Sequence, residues 1–274
     1  MVQLLKIEWL KIKNYTAFIV ISLFFVLGIV AANYMVYSFK KNIIDKADPI
    51  GLISSTSPYD FANVWQTTSY VSGCLLMLPG LIIIMLVTNE FTFKTHRQNI
   101  IDGWSRNQFI QVKLVMALIV AFVSTVLVVL TALIFGFALG STFGVNHIEA
   151  LGFFFLKALT YNLIAVLIGV LVRKTGFAIG IFFVYTCLEN FISLLLEMLA
   201  IKIKTNYNVD TGNLGDYLPM NAADGLLYFP KTSLSKITSG LLPTDYMYLV
   251  LAFTIAYIFI FIYWSKNRME TTDL

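Results

Sequence analysis

Six stretches of the chain run for about 20 residues or more with scarcely a charge: 15–38, 69–88, 113–139, 151–172, 176–200 and 246–264. A helix rises about 1.5 Å per residue, so about 20 apolar residues cross the hydrocarbon core of a bilayer. Each stretch therefore predicts a transmembrane helix; the lengths favour helices over barrel strands of about 9–11 alternating residues. Ahead of the first span, residues 1–14 read MVQLLKIEWLKIKN. Val2, Leu5, Trp9 and Ile12 recur at helical spacing on one face, with Lys6, Glu8, Lys11 and Lys13 over the remainder. That pattern predicts an amphipathic helix lying in the headgroup layer, and its lysines also serve as a basic flank that orients the first span. The first span exceeds the roughly 7–15 apolar residues of a signal core and no small-x-small cleavage site follows, so it reads as a retained helix.

Composition reinforces the pattern. Of 274 residues, 58% are hydrophobic and 12% charged, and mean hydropathy is +0.81. Soluble domains carry about 25% charged residues, so the expected fold class is an all-α membrane protein, with residues 1–274 forming one transmembrane domain. Six spans place both termini on one side. The termini and the 89–113 and 173–175 connections hold eleven Lys/Arg against five acids, whereas the longer segments 39–68, 140–150 and 201–245 hold seven against eight. By the positive-inside rule the termini are cytoplasmic and those three segments are outer loops. The last of them carries Leu218, Met220, Leu226, Leu227 and Phe229 among Asn, Asp, Gly and Pro, a composition that predicts interfacial turns. A net charge of +4 with no basic stripe argues against nucleic acid. Cys74 and Cys187 lie in apolar runs and read as small buried hydrophobes.

The connection between spans two and three, NEFTFKTHRQNIIDGWSRNQFIQVK over 89–113, is the most informative stretch. Thr95 with Gln98, and Ser105 with Gln108, have capping-box spacing, and Gly103 stands where a helix end favours a left-handed residue. The local reading is a short helix over about 96–102, a stop at Gly103, and Ser105 starting the helix of span three. Ile100, Ile101 and Trp104 offer an apolar contact surface beside His96 and Arg97. A short helix at the inner membrane face is similar to the coupling helix of a transporter driven by a separate ATPase. The run Glu90–Thr95–Ser105–Arg106–Lys113 resembles the signature of the type 2 ABC transporter permeases: a Glu ending span two, a Thr five residues on, and a Ser/Thr-Arg pair before a Lys. Lys94 stands where that family usually has Gly before the Thr, and Gly103 where it usually has Pro before the Ser-Arg pair. The resemblance implies a coupling segment over 91–105, with Glu90, Thr95, Arg97, Ile100, Ile101, Trp104, Ser105 and Arg106 at or near the ATPase contact and Glu90 paired with Arg97 or Arg106. It also implies two cytosolic P-loop ATPase subunits carrying Mg-ATP, a second permease copy or related permease, surrounding lipid, a small bacterial exporter, and the bacterial plasma membrane. The plain alternative for these charges is a solvated, positive loop.

Chemistry on the chain itself is sparse. No GxxxxGK[ST] occurs, so no P-loop binds nucleotide here. His96 and His147 fall on opposite faces under this topology, no HExxH or GxSxG is present, and every Asp falls in a loop. No enzyme, metal site or resident cofactor is expected. Lys157 and Glu189 are ionisable residues within spans four and five, at depths about three residues (roughly 4.5 Å) apart from the Arg173–Gly176 turn. They are read as an intramembrane pair facing the bundle interior; the alternative is Lys157 snorkelling to the headgroups. Pro79–Gly80 in span two is a candidate hinge or a static packing bend. Two rivals stand beside the ABC permease subunit. An ion-coupled secondary transporter would want several intramembrane carboxylates or broken helices in repeated halves; a non-transporting membrane assembly subunit fits the composition equally.

Overall fold

Backbone inside a bilayer has no water to bond and must pair with itself. The computed structural model describes residues 2–39, 41–42, 58–96, 101, 103–138, 142–230 and 246–271, and among these there are helices and turns but no strand. Helix α1 (Val2–Ile12) turns tightly, Tyr15 N–H on Ile12 O at 2.9 Å, into α2 (Thr16–Phe39). Then come α3 (Val64–Gly73), α4 (Met77–Thr92), α5 (Arg106–Ala138), α6 (Glu149–Val172) and α7 (Thr175–Tyr207). A 3-10 turn at Leu214–Tyr217 and the one-turn helix α8 (Asn221–Asp224) precede α9 (Met247–Thr271). Helices α2, α5, α6, α7 and α9 are each long and apolar enough to cross a membrane; α3 and α4 make a sixth crossing if the bent pair is one span. The architecture is compatible with a multi-pass, membrane-embedded protein.

Several expected boundaries move. The third span's helix starts at Arg106, seven residues before the apolar run but where the Ser105 cap predicts it. The fifth continues past Ala200 to Tyr207, where Asn208 adopts a left-handed φ of 54° and ends it, and the last runs on to Thr271. Spans four and five do form a tight hairpin: Arg173, at φ 59°, caps α6 through its N–H on Gly169 O, and α7 begins two residues later. Both cysteines are exposed on the bundle surface, not buried as the apolar runs suggested.

The core is built around α6. It packs against α3, α4, α5, α7 and α9, and 78% of its apolar window is buried, against 11% for α7. A helix apolar on every side belongs inside a bundle; α7 instead leaves Phe177, Val184, Phe191 and Met198 on the surface. Asn162 of α6 donates to the Ala117 carbonyl of α5 at 3.0 Å, a polar tie between buried helices. Arg106 donates to the Glu270 carbonyl at 3.1 Å, so the start of α5 and the end of α9 share one end of the bundle with α1, here called the terminal end.

Span two is broken, and not where the Pro79–Gly80 pair suggested. Helices α3 and α4 meet at 48° across Cys74–Leu76. Pro79 supplies the reason: it lacks an N–H, and its ring crowds the carbonyl four residues back, that of Leu75. The amides of Leu75 and Leu76 reach back three residues, to Ser72 O (3.0 Å) and Gly73 O (3.4 Å), before Gly80 N–H on Leu76 O (3.3 Å) restores helical pitch. The bend therefore precedes the proline, which sits in the first turn of α4 where its missing donor is tolerated. Gly80 is a packing position instead of a free joint, since a Cβ there would lie 2.8 Å from Cζ of the fully buried Phe182 on α7. Gly80→Ala gains helix propensity of about 1 kcal/mol but meets an overpacking cost of about 1–3 kcal/mol. It is expected to lower thermal stability in micelles, with recovery in Gly80→Ala/Phe182→Leu; an unshifted single variant would remove the packing role.

Candidate functional site

At the terminal end, four charged side chains from three sequence-distant helices converge. Lys113, 1% exposed on α5, donates to Glu8 of α1 in a short contact and to Glu90 of α4 at 3.1 Å. Lys11, one turn along α1 from Glu8, reaches Glu90 at 2.8 Å and Glu8 at 3.2 Å. Glu8 is 1% and Glu90 3% exposed, so two buried carboxylates are balanced by the buried Lys113 ammonium and by that of Lys11, about one-third exposed. Buried charges are tolerable only when paired and hydrogen-bonded in this way. Burial alone would lower the Lys11 pKa, but Glu8 and Glu90 beside it outweigh that and raise it above the ordinary lysine value.

The same carboxylate organises the elbow after α4. The Thr95 hydroxyl donates to the second Glu90 oxygen at 2.6 Å, and His96 Nδ1 lies 3.0 Å from the Glu90 carbonyl. The His96 ring packs on Phe91 (4.9 Å between centroids), which also meets Phe109 and carries the Arg173 guanidinium 5.2 Å over its face. Burial, and then the nearby Arg268, lower the Arg173 pKa. Lys94, at φ 57°, holds the left-handed conformation that glycine adopts without penalty. Gly103, at φ 97°, does the same at the other end of the elbow, as its position predicts. Ser105 and Gln108 form the reciprocal capping box, Gln108 N–H on Ser105 Oγ at 3.1 Å and Ser105 N–H on Gln108 Oε1 at 2.9 Å.

The sequence-derived residues divide accordingly. Glu90, Thr95, Ser105 and Lys113 lie at this site or its cap. Glu90 finds Lys11, Lys113 and Thr95, whereas Arg106, one of its expected partners, donates to Glu270; the other, Arg97, lies outside the described residues, as do Ile100 and the Gln98 of the first capping box. Ile101 is 79% exposed and Trp104 half-buried, with its ring 5.9 Å from Lys11 Nζ. His96 is buried and not part of an exposed surface. The sequence reading missed Glu8, which it assigned to the polar face of an interfacial helix. The inward face of α1 is that carboxylate, while Ile7, Trp9 and Leu10 stay exposed. A lone acid among three lysines was the available signal.

A second polar cluster lies at the other end of the bundle and corrects the expected Lys157–Glu189 pair. Lys157 pairs with Asp224 at 3.2 Å. Glu189 instead accepts from the backbone N–H groups of Met220 and Asn221 (2.8 Å for the latter) and from Asn221 Nδ2 at 3.3 Å. Both side chains hold the segment between α7 and α9, whose Met220, Ala222, Ala223, Leu226 and Leu227 are buried against the bundle, while Leu218 and Phe229 remain partly exposed. Tyr257 of α9 donates to Tyr217 O at 2.8 Å, and Gln66 of α3 to Tyr228 O at 3.1 Å, completing the hold. Among the described residues no group of three metal-ligating side chains occurs.

No protein-family model matches this chain, and no curated protein matches it.

Proposed function

We propose that this chain is the permease subunit of an ATP-binding-cassette exporter, similar to the type 2 permeases, with both termini cytoplasmic in a bacterial plasma membrane. The observation that carries the reading is the Glu90 carboxylate. Through one side chain it joins the elbow (Thr95) to α4, α5 (Lys113) and the interfacial helix α1 (Lys11). A push on the elbow by a nucleotide-binding partner is then delivered to several helices together, because the Thr95 contact feeds into a buried Glu90–Lys113 pair whose rupture would strand two charges. Exposed Ile101 and half-buried Trp104 supply an apolar contact for that partner. Two ATPase subunits would carry Mg-ATP and hydrolyse it; this chain and a second permease would form the path between them.

The test is site-directed crosslinking in native membranes from Ile101→Cys, with both native cysteines replaced by Ser. The expected product joins this chain to a protein that photolabels with an azido-ATP. Crosslinking to no nucleotide-binding protein, or an equal yield when the cysteine at 101 is kept but the rest of the 96–104 elbow is replaced by Gly and Ser, overturns the reading.

A secondary transporter is the second reading, favoured by the broken α3–α4 crossing, the buried Lys157 and Glu189 and the half-buried Asp224. Transport by reconstituted vesicles that survives ATP depletion and stops with a protonophore would establish it in place of the first.

A further inference from the structure

Asp224 occupies a receptor that is otherwise built on rigid helices. Lys157 and Tyr161 are four residues apart on α6 and so share one face. The ammonium lies 3.2 Å from one Asp224 oxygen, and the Tyr161 hydroxyl lies 3.1 Å from both. Lys157 and Tyr161 are each 7% exposed. Space for the ammonium comes from α3, where a Cβ on Gly73 would stand 3.1 Å from Lys157 Nζ. One turn back on the same face of α3 is Ser69, fully buried, whose hydroxyl has no hydrogen-bond partner. The receptor thus has a cation and a phenol donor on α6, with an unused hydroxyl one turn from Gly73 on α3. Its occupant is carried by an irregular segment joining α7 to α9.

We propose that Lys157, Tyr161 and Ser69 form a carboxylate-binding site that Asp224 fills in cis, and that a carboxylate-bearing solute takes the Asp224 position when the 213–227 segment withdraws. A buried ammonium is costly without an anion, so once Asp224 leaves, a carboxylate-bearing ligand taking its place restores the charge balance. The inference goes beyond the transporter reading and does not depend on what energises the chain.

Chemical rescue tests it. In detergent, Asp224→Ala is expected to melt below the parent, and acetate to raise its Tm by about 2–4 °C. Acetate is expected to leave the parent and Lys157→Gln/Asp224→Ala unmoved. Equal shifts in all three proteins, or none in Asp224→Ala, overturn the site; rescue by inorganic phosphate and not by acetate overturns the carboxylate assignment. Should Asp224→Ala fail to fold, Asp224→Cys in a Cys74→Ser/Cys187→Ser background provides the second measurement. An anionic thiol reagent is expected to react about fivefold faster than its cationic analogue, and the ratio to collapse when Lys157→Gln is added. No reaction, or no charge preference, overturns the proposal. Neither assay involves ATP or a partner, so their outcome is independent of the crosslinking result.

Discussion

Lys113→Met is expected to cost about 3–5 kcal/mol of stability, the range for removing one partner of a buried ion pair. Lys113 is 1% exposed and is the cation shared by Glu8 and Glu90. Methionine fills much of the same volume, so the loss is electrostatic and not a cavity. Two carboxylates, 1% and 3% exposed, then lose this shared cation and keep their contacts with Lys11, itself about one-third exposed. Glu90→Gln is expected to do less, because Lys113 keeps Glu8, Lys11 keeps Glu8, and the amide oxygen can still accept from Thr95. Lys113→Met/Glu8→Gln should recover part of the loss by removing one stranded charge. Thermal unfolding in micelles followed by circular dichroism orders the three variants. Parent-like stability in Lys113→Met would show that the buried charges are not what holds α1 and α4 to α5.

Glu189→Ala is expected to loosen the segment between α7 and α9 around Met220 and Asn221. The carboxylate accepts from two backbone N–H groups and one side-chain amide, all from a stretch whose Asn221 is only 8% exposed. Hydrogen bonds to a charged acceptor are worth about 1.5–3 kcal/mol each, and two backbone donors would be stranded away from water. The predicted loss is about 3 kcal/mol and is local to 220 and 221, because the segment keeps its other ties, Asp224 to Lys157 and Tyr161, Tyr217 to Tyr257, Tyr228 to Gln66, and its buried Met220, Ala222, Leu226 and Leu227. Hydrogen exchange at residues 213–227 reads it directly. Glu189→Gln retains an acceptor oxygen and should show the smaller increase. Unchanged exchange at 220 and 221 in Glu189→Ala would remove the docking role of this carboxylate.

How much of this was readable beforehand depended on range. The capping box at Ser105 and Gln108, the left-handed Gly103 and the two-residue hairpin after Val172 were legible because each is settled by neighbours within a few residues. The proline bend was anticipated but misplaced, since a proline acts on the carbonyl four residues before it and so breaks the helix at 74–76. Charge partners were legible only as a need. Lys157 and Glu189 were recognised as costly within spans, yet were paired with each other because depth was the only coordinate available. In the fold both turn to a loop segment some 30 or more residues further along the chain. Glu8 was read as solvated because helical spacing assigns faces, not what a face meets.

The amino-acid order alone determined that the chain is apolar enough to need a membrane, roughly where its long helices lie and where they stop, because hydrophobic transfer and backbone capping act residue by residue. Which helix is central, which glycine is packed shut, and which acid neutralises which lysine were decided only in the tertiary structure. Those outcomes depend on distances between helices that no local preference encodes, and in a low-dielectric interior a few ångströms separate a paired charge from a stranded one.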